Sequence, residues 1–196
     1  METGLYTEKE LVRVAKRENN KKRSYLVVNC QQAKHIPAEP DKTFAMFDEL
    51  ADILINEYNN EKVLVVGFAE TATAIGARLA IRLNSFYMQT TREPIPNVEY
   101  LYFTESHSHA TEQKLIKTDL DQIIDKIDRI IFAEDEVTTG NTIMKIIDII
   151  RATYGDIIKF SVASLLNGMD DKAQKAYEEK NIRIHYLVKT DHSAYF

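Results

Sequence analysis

Hydrophobic residues along the chain form short continuous runs that alternate with longer segments of helical period. The runs at residues 63–66 and 130–133 are apolar throughout, which is typical of strands buried on both faces of a parallel sheet. In the segments between such runs, apolar residues recur every three or four positions, as on one face of a helix. The alternation of strand, loop and helix predicts an α/β fold with a mostly parallel central sheet flanked by helices.

The boundaries of the predicted elements follow from the same pattern and from the turn-forming residues between them. Pro37 and Pro40 predict a turn before the first long helix, and Gly155 is placed to cap the helix that carries Ile143 and Ile150. Strands are predicted at residues 25–28, 63–66, 98–103, 130–133, 157–166 and 184–188. Helices are predicted at residues 43–58, 72–83, 119–127, 143–154 and 170–180. The region 105–118 is polar and carries no predicted element.

Composition narrows the class of protein further. A length of 196 residues fits one domain, and 44% hydrophobic residues are enough for a real core. The formal net charge of −5 argues against a nucleic-acid partner, because such surfaces usually need a basic excess. The single cysteine, Cys30, excludes an internal disulfide, and no apolar run approaches the ~20 residues that span a bilayer. The polar opening lacks the apolar core of a secretory signal, so we expect a cytoplasmic protein with no membrane partner.

The segment from Ile130 to Thr142 reads IIFAEDEVTTGNT and carries the strongest chemical signal. Glu134 and Asp135 follow the apolar strand, at the edge where open α/β sheets bind ligands, and adjacent carboxylates can accept hydrogen bonds from sugar hydroxyls. Residues 138–142 offer hydroxyls and free N–H groups at a helix start, whose dipole favours a phosphate. The segment therefore predicts a ribose 5-phosphate site, although an ordinary strand and capped helix with an acidic, solvated corner would share the pattern.

This run resembles the phosphoribosyl-pyrophosphate signature of type I phosphoribosyltransferases: an apolar strand, two acidic residues, two apolar residues and a Thr-Thr-Gly-x-Thr loop. The resemblance implies the type I phosphoribosyltransferase fold with a small variable hood, and a catalytic, hydroxyl-binding role for Glu134 and Asp135. It implies Mg²⁺, held through the same two carboxylates, mostly by way of ligand and water. Glu136 departs from the pattern, because the family usually has an apolar residue there, and a third carboxylate can alter metal or hydroxyl recognition. The implied phosphoribose-binding residues are Glu134, Asp135, Val137, Thr138, Thr139, Gly140, Asn141 and Thr142.

A second candidate loop follows the strand at residues 63–66, where the resembled family has its pyrophosphate loop. Thr71 and Thr73 are placed to cap the next helix and to present N–H groups to a diphosphate. A carboxylate at Glu70 would repel a diphosphate, so we expect it to hold metal-bound water or to orient the loop. A simple N-capped helix is the alternative interpretation. The resemblance implies pyrophosphate-binding roles for Ala69, Glu70, Thr71, Ala72 and Thr73.

The polar stretch from Thr104 to Glu112 lies where the resembled enzymes carry a mobile lid that excludes water from the reacting ribose. His107 and His109 are candidate catalytic residues there, as donors to the leaving pyrophosphate or in proton transfer. Lys114 is a candidate for neutralising its charge. A solvated loop is the alternative, whereas a structural metal site would need a Cys/His cluster that the sequence does not provide nearby.

Three short phrases narrow the resemblance to one branch of the superfamily. They are Glu-Thr-Ala-Thr at residues 70–73, His-Ser-His-Ala at 107–110 and Lys-His-Ile-Pro at 34–37. Together they resemble phosphoribosyltransferase-like proteins encoded in bacterial tellurite-resistance and stress gene clusters. Lys34 and His35 become site candidates on this ground, with a solvated basic pair beside a proline-rich turn as the alternative.

These observations support two functions of different classes. The first is a Mg²⁺-dependent phosphoribosyltransferase, in which a base or another acceptor displaces pyrophosphate from C1 of the ribose, or the reverse phosphorolysis occurs. The second is a non-catalytic regulator of the same fold that binds phosphoribosyl pyrophosphate or a nucleotide. We expect a single domain at residues 1–196, with its core at about 42–166 and its hood in 1–41 and 167–196. Homodimers are frequent in the resembled family.

Overall fold

The computed structural model describes residues 5–18, 24–103 and 112–195. Short 3₁₀ turns lie at Ile124–Lys126 and His192–Tyr195. The elements in chain order are α1 (Glu8–Leu11), β1 (Val12–Lys16), β2 (Tyr25–Asn29), α2 (Pro40–Tyr58), β3 (Val63–Gly67), α3 (Thr73–Leu83), β4 (Phe86–Gln89), β5 (Tyr100–Tyr102), β6 (Lys114–Ile116), α4 (Lys117–Asp121), β7 (Arg129–Val137), α5 (Asn141–Tyr154), β8 (Lys159–Asn167), α6 (Asp171–Glu179) and β9 (Arg183–Lys189).

Within the described ranges, parallel strands form the central sheet in the order β4-β3-β7-β8-β9. All of β3 and the first half of β7 are buried, because helices cover both faces of the sheet, as the continuous apolar runs predicted. The chain passes from β3 to β4 on one side and then reaches β7 on the other side of β3. The strand order therefore reverses between β3 and β7, and open α/β sheets bind ligands outside the carboxyl ends of the strands at such a reversal.

The two longest helices of the first half of the chain, α2 and α3, pack against each other. Arg78 on α3 donates to both carboxylate oxygens of Asp48 on α2, at 2.7 and 2.9 Å. α2 begins at Pro40, where a turn was expected, because proline is favoured in the first helical turn, whose N–H groups have no helical partner. No helix in the described part of the chain is both long and apolar enough to cross a bilayer.

Two antiparallel ribbons, β1–β2 and β5–β6, lie outside the central sheet. The strand expected at residues 98–103 is the short β5, which pairs with β6 and not with the central sheet. β6 lies in the region where no element was expected. β1 and β4 were also missed. β1 exposes every residue after Val12, and β4 is an edge strand with a single neighbour, so neither needs a continuous apolar run.

The helix expected at residues 119–127 is also corrected. The segment contains α4, which ends at Asp121, and then the 3₁₀ turn Ile124–Lys126. A helix this short gains little from cooperative propagation, so tertiary contacts decide how far it extends. Here the chain must return to β7, and Asp128 accepts a hydrogen bond of 2.8 Å from the N–H of Lys62, beside the start of β3.

Candidate active site

β7 carries both carboxylates of the signature near its carboxyl end. The strand continues past the predicted end at residue 133 and includes Glu134, Asp135 and Glu136. Side chains alternate along a strand, so Glu134 and Glu136 share one face and Asp135 points to the other. Asp135 is only 9% exposed, and its N–H donates to Glu134 Oε1 at 3.2 Å. Glu134 therefore stays close to Asp135 beside the reversal of the sheet.

Asp135 is the point where three segments of the chain meet. Lys34 places its ammonium 2.6 Å from Oδ2, and Thr71 donates its hydroxyl to Oδ1 at 3.1 Å. Gln32 Nε2 lies 3.5 Å from Oδ2 and donates to Thr71 O at 3.2 Å. The carboxylate thus joins the segment before α2, the loop after β3 and the end of β7. Of the two residues in the predicted basic pair, Lys34 reaches the site and His35 is exposed.

The two carboxylates differ in their affinity for protons. Burial raises the pKa of Glu134 well above its usual range, and the charge of Asp135 raises it further. Burial also works to raise the pKa of Asp135, but hydrogen bonds with Glu134, Lys34 and Thr71 outweigh this effect and lower that pKa. Of the two groups, Glu134 therefore takes up a proton more readily than Asp135. Such a pair can both donate to and accept from sugar hydroxyls.

The loop after β7 has the geometry of an anion site. Gly140 is the N-cap of α5 in a left-handed conformation, with φ 71°, which glycine adopts most readily. A Cβ here would lie 2.6 Å from Met169 Cε and 2.7 Å from the Tyr177 hydroxyl, so packing also requires glycine. The N–H groups of the first turn of α5 lack helical partners, and together with the helix dipole they favour a phosphate. Residues 138–142 therefore connect β7 to the first turn of α5, and their phosphate-binding role stays a prediction.

The loop after β3 faces the same reversal of the sheet, since β3 and β7 are neighbours. Its backbone is held at Ala69, whose N–H donates to Thr90 Oγ1 at 2.8 Å and whose carbonyl accepts from Gln113 Nε2 at 3.2 Å. Glu70, which follows, is exposed. The loop is thus positioned by the segments that follow β4 and precede β6.

The expected capping roles of Thr71 and Thr73 are wrong. α3 begins at Thr73 with Ala72 as its N-cap, and no side chain of the described residues caps it. The Thr71 hydroxyl donates to Asp135 instead. The strong hydrogen bond to this charged acceptor orients the Thr71 side chain towards β7 rather than towards the first turn of α3.

The candidate residues of the lid divide into two groups. His107 and His109 belong to residues 104–111, which lie outside the described residues, so their roles stay predictions. Lys114 lies in β6 and is 9% exposed, with its ammonium 4.8 Å from the centre of the Tyr100 ring. This cation–π contact packs Lys114 within the β5–β6 ribbon.

The sequence interpretation missed the partner of Glu136. His192, in the 3₁₀ turn His192–Tyr195, places Nε2 at 2.9 Å from Glu136 Oε1 and Nδ1 at 2.8 Å from the Tyr25 hydroxyl. Glu136 thus faces the C-terminal segment. The signal that could have located this pair was the carboxylate itself, at a position of the signature that is otherwise apolar.

A cavity of about 1080 Å³ opens beside the loop after β7, residues 138–142, which is called the phosphate loop below. Thr138, Thr139 and Asn141 line it on the side of the loop, while Tyr25 and His192 come from distant parts of the chain. Its size is ample for a small planar ligand. Because the residues that line the cavity come from distant parts of the sequence, no local motif predicts it.

The carboxylates fit a metal ion only in part. Across the ranges that the structure describes, no group of three or more His, Cys, Asp or Glu side chains could hold a metal ion. Glu134 and Asp135 provide two carboxylates at the crevice, which suits Mg²⁺, because that ion is commonly bound by one or two carboxylates together with water and substrate phosphates. A metal bound here would therefore depend on the ligand for most of its coordination.

Fold and site together define the architecture of type I phosphoribosyltransferases: a parallel sheet with an acidic pair and a phosphate-type loop at its reversal. The profile of the family described as "Phosphoribosyl transferase" matches residues 11–194. The chain therefore belongs to the phosphoribosyltransferase family.

Two curated relatives are both adenine phosphoribosyltransferases. The protein from Geobacter metallireducens is 26% identical over 114 residues, which cover 58% of this chain and 65% of that protein. The protein from Neisseria meningitidis serogroup C is 29% identical over 149 residues, which cover 74% of this chain and 75% of that protein. The first match thus spans slightly less than two thirds of the relative's length.

Solved structures share the fold at lower identity. Adenine phosphoribosyltransferase from Thermoanaerobacter pseudethanolicus is 17% identical, with a TM-score of 0.64 over 93% of this chain and 97% of that chain. The Trypanosoma brucei enzyme in complex with AMP, pyrophosphate and ribose-5-phosphate is 15% identical, with a TM-score of 0.61 over 92% and 77%. Orotate phosphoribosyltransferase from Aeropyrum pernix is 15% identical, with a TM-score of 0.59 over 93% and 89%.

Proposed function

We propose that the protein is an enzyme that transfers ribose 5-phosphate between phosphoribosyl pyrophosphate and a base, in either direction. In the forward direction the bond from C1 to a pyrophosphate oxygen breaks and pyrophosphate leaves. A bond from C1 to a ring nitrogen of the base forms, and the proton of that nitrogen passes to the pyrophosphate or to water. The observation that carries the proposal is the 3.1 Å hydrogen bond from Thr71 to Asp135, because it joins the two candidate ligand loops at the reversal of the sheet.

Each part of the substrate has its own protein segment in this proposal. The N–H groups and hydroxyls of residues 138–142 bind the 5-phosphate, and Glu134 and Asp135 bind the ribose hydroxyls. The loop at residues 69–73 binds the diphosphate. The segment with His107 and His109 keeps its predicted role as the lid that excludes competing water.

We also propose Mg²⁺ as the cofactor. Glu134 and Asp135 would hold it largely through the ligand and water. When bound, the ion spreads the negative charge of the departing pyrophosphate. The protein's own contribution is to orient the ribose and to hold the leaving group in place.

The acceptor is proposed to be adenine or a related base with an exocyclic amine. The cavity beside Thr138 and Thr139 has room for such a ring. The two curated relatives carry the name of the adenine enzyme, which supports testing adenine first.

A regulator that binds phosphoribosyl pyrophosphate without turnover is the second candidate. The ion pair of Lys34 and Asp135 favours it, because the ammonium covers a carboxylate oxygen that the ribose hydroxyls need. Pyrophosphate release in the presence of a base separates the two candidates, since a regulator releases its ligand unchanged.

Three finer proposals rest on the sequence. The phrases at residues 34–37, 70–73 and 107–110 support membership of the branch encoded in tellurite-resistance gene clusters. The resemblance supports a homodimer, and the single cysteine supports a cytoplasmic location. Light scattering on the purified protein would test the dimer directly.

The proposed function is tested by calorimetric titration of phosphoribosyl pyrophosphate, with and without Mg²⁺. Asp135→Asn is expected to weaken binding by about 10- to 100-fold, because it removes a charged acceptor from the ribose hydroxyls. Asp148→Asn is the matched control: Asp148 pairs with Lys180 at 2.9 Å on an exposed surface, and this variant is expected to bind like the wild type. Absence of binding to the wild-type protein under both conditions would refute the proposal.

A further inference from the structure

Lys34 supplies a positive charge that both candidate ligand loops lack. Residues 67–73 and 138–142 contain no lysine or arginine, and the first of these loops carries an exposed carboxylate at Glu70. A diphosphate brings several negative charges into the site, and hydroxyls and N–H groups can bind them without neutralising them. The ammonium of Lys34 lies 2.6 Å from Asp135 Oδ2, where the two loops meet.

Four contacts place this ammonium beside the loop after β3. Lys34 and Thr71 bind the two oxygens of one carboxylate, that of Asp135, at 2.6 and 3.1 Å. Gln32 reaches the same carboxylate and donates to the carbonyl of Thr71 at 3.2 Å. The side chain of Lys34 is 31% exposed, so a ligand in the crevice can reach the ammonium.

The segment that carries Lys34 is fixed to the rest of the protein just before it enters the site. The N–H of Gln31 donates to Asn29 Oδ1 at 2.9 Å, and its carbonyl accepts from the Thr43 hydroxyl of α2 at 2.8 Å. Ala33 then adopts φ 64°, a left-handed conformation that is uncommon for residues with a Cβ. The tertiary contacts on either side therefore hold the backbone in the conformation that brings Lys34 to Asp135.

We propose that Lys34 binds the diphosphate of phosphoribosyl pyrophosphate, an inference that rests on the proposed function. In the ligand-free protein the ammonium neutralises Asp135. When the ribose hydroxyls take the Asp135 carboxylate, the ammonium moves to the diphosphate held by residues 69–73. Lys34 is then a substrate-binding residue that comes from neither the ribose-phosphate signature nor the pyrophosphate loop.

A simple latch is the competing account of the same contact. In that account Lys34 only covers Asp135 and leaves the site when the ligand arrives. Loss of a latch frees Asp135, so ribose 5-phosphate binds more tightly while pyrophosphate binding does not change. Loss of a diphosphate-binding lysine instead weakens pyrophosphate binding, which makes pyrophosphate alone the discriminating ligand.

The test uses calorimetric titrations of pyrophosphate, ribose 5-phosphate and phosphoribosyl pyrophosphate, each with Mg²⁺. Lys34→Gln is expected to raise the Kd for pyrophosphate and for phosphoribosyl pyrophosphate by about 10- to 100-fold, while ribose 5-phosphate binds at least as tightly as to the wild type. Lys42→Gln is the matched control, because Lys42 is exposed and pairs with Glu39 at 3.0 Å. It is expected to leave all three affinities unchanged.

Acetylation of the wild-type protein, read by mass spectrometry, tests the contact without a substitution. Lys34 is expected to react more slowly with phosphoribosyl pyrophosphate bound than with ribose 5-phosphate bound, while Lys42 reacts equally in both. Unchanged pyrophosphate affinity in a folded Lys34→Gln variant, or equal acetylation of Lys34 with the two ligands, would overturn the inference. A wild-type protein that binds none of the three ligands would overturn the proposed function instead.

Discussion

The hydroxyl of Tyr177 donates a hydrogen bond of 2.5 Å to the carbonyl oxygen of Gly140, at the start of α5. Tyr177 lies on α6, whose other residues are exposed or half-buried, yet its ring is buried against residues 138–142. The same carbonyl also accepts from the N–H of Met144 at 3.0 Å, as the first bond of α5. Tyr177 thus ties the loop to a helix that is more than thirty residues away in sequence.

Tyr177→Phe is expected to loosen the phosphate loop while keeping the ring in place. Because Gly140 retains its helical hydrogen bond, the free energy of unfolding should fall by only about 1 kcal/mol. Ribose 5-phosphate affinity should fall more clearly than stability, since the loop loses a fixed point beside the ligand. Calorimetry and urea unfolding measure the two effects. Tyr154→Phe removes an exposed hydroxyl bonded to Asp121 at 2.6 Å and should leave ligand binding unchanged.

Gly140→Ala is expected to abolish phosphate binding and to destabilise the protein. The left-handed backbone costs an alanine about 1–2 kcal/mol, and the contacts of its Cβ with Met169 and Tyr177 add about 1–3 kcal/mol. Gly155→Ala is the control, because Gly155 also has a positive φ, 81°, but a Cβ there meets nothing within 4 Å. The control should lower the free energy of unfolding and keep normal ligand affinity. Equal ligand affinities in the two variants would contradict the assigned role of Gly140.

Glu61→Ala is expected to destabilise the protein by about 2–4 kcal/mol, because it leaves the buried guanidinium of Arg129 without its carboxylate. Arg129 donates to Glu61 at 2.5 Å, and its side chain is 9% exposed. Glu57→Ala is the control: Glu57 pairs with the exposed Arg183 at 2.6 Å, and such surface pairs contribute less than about 1 kcal/mol. Urea unfolding of both variants gives the comparison, and similar losses would contradict the prediction.

Protonation of His185 is expected to make folding depend on pH. Burial lowers the pKa of this imidazole from 6.5 to about 4, and the charge of Arg183 acts in the same direction. The unfolded chain therefore binds a proton in this window that the folded protein does not, so the free energy of unfolding falls as pH drops from 6.5 towards 4. The loss is at most roughly 3 kcal/mol.

Urea unfolding near neutral pH and at mildly acidic pH measures this loss. His185→Asn removes the titrating group, and the difference in the free energy of unfolding between the two conditions should become smaller. The substitution also removes the 2.6 Å hydrogen bond between the Tyr58 hydroxyl and His185 Nε2. The comparison is therefore made between the slopes of stability against pH and not between absolute stabilities. An unchanged slope would mean that other groups cause the pH dependence.

The sequence predicted those strands and helices whose buried faces are visible in the local pattern of apolar residues. The run at residues 63–66 became β3, and the run at 130–133 became the buried half of β7, because a strand covered on both faces must be apolar at every position. The helical period likewise located α5, with Gly155 at its end. The strand order of the sheet reverses between β3 and β7. The fold class and the position of the site could therefore be predicted from the sequence.

The local sequence did not predict which strands pair with each other. β1, β4 and β6 are edge or ribbon strands, and their short sequences have no pattern that separates them from loops. The run at residues 98–103 predicts a strand, but nothing in it says that β5 pairs with β6 rather than with the central sheet. Pairing depends on which segments meet after folding, and a local pattern holds no information on that.

Within the site, the sequence determined the carboxylates and the phosphate loop, because Glu134, Asp135 and residues 138–142 are consecutive parts of one strand, turn and helix. Only the tertiary structure brought Lys34 and Thr71 to Asp135, across separations of 101 and 64 residues, and turned Glu136 towards His192. A sequence motif can predict the contacts that one short, continuous segment of the chain makes with a ligand. The charges that surround those contacts come from distant segments, and the packing of the whole sheet sets where those segments lie.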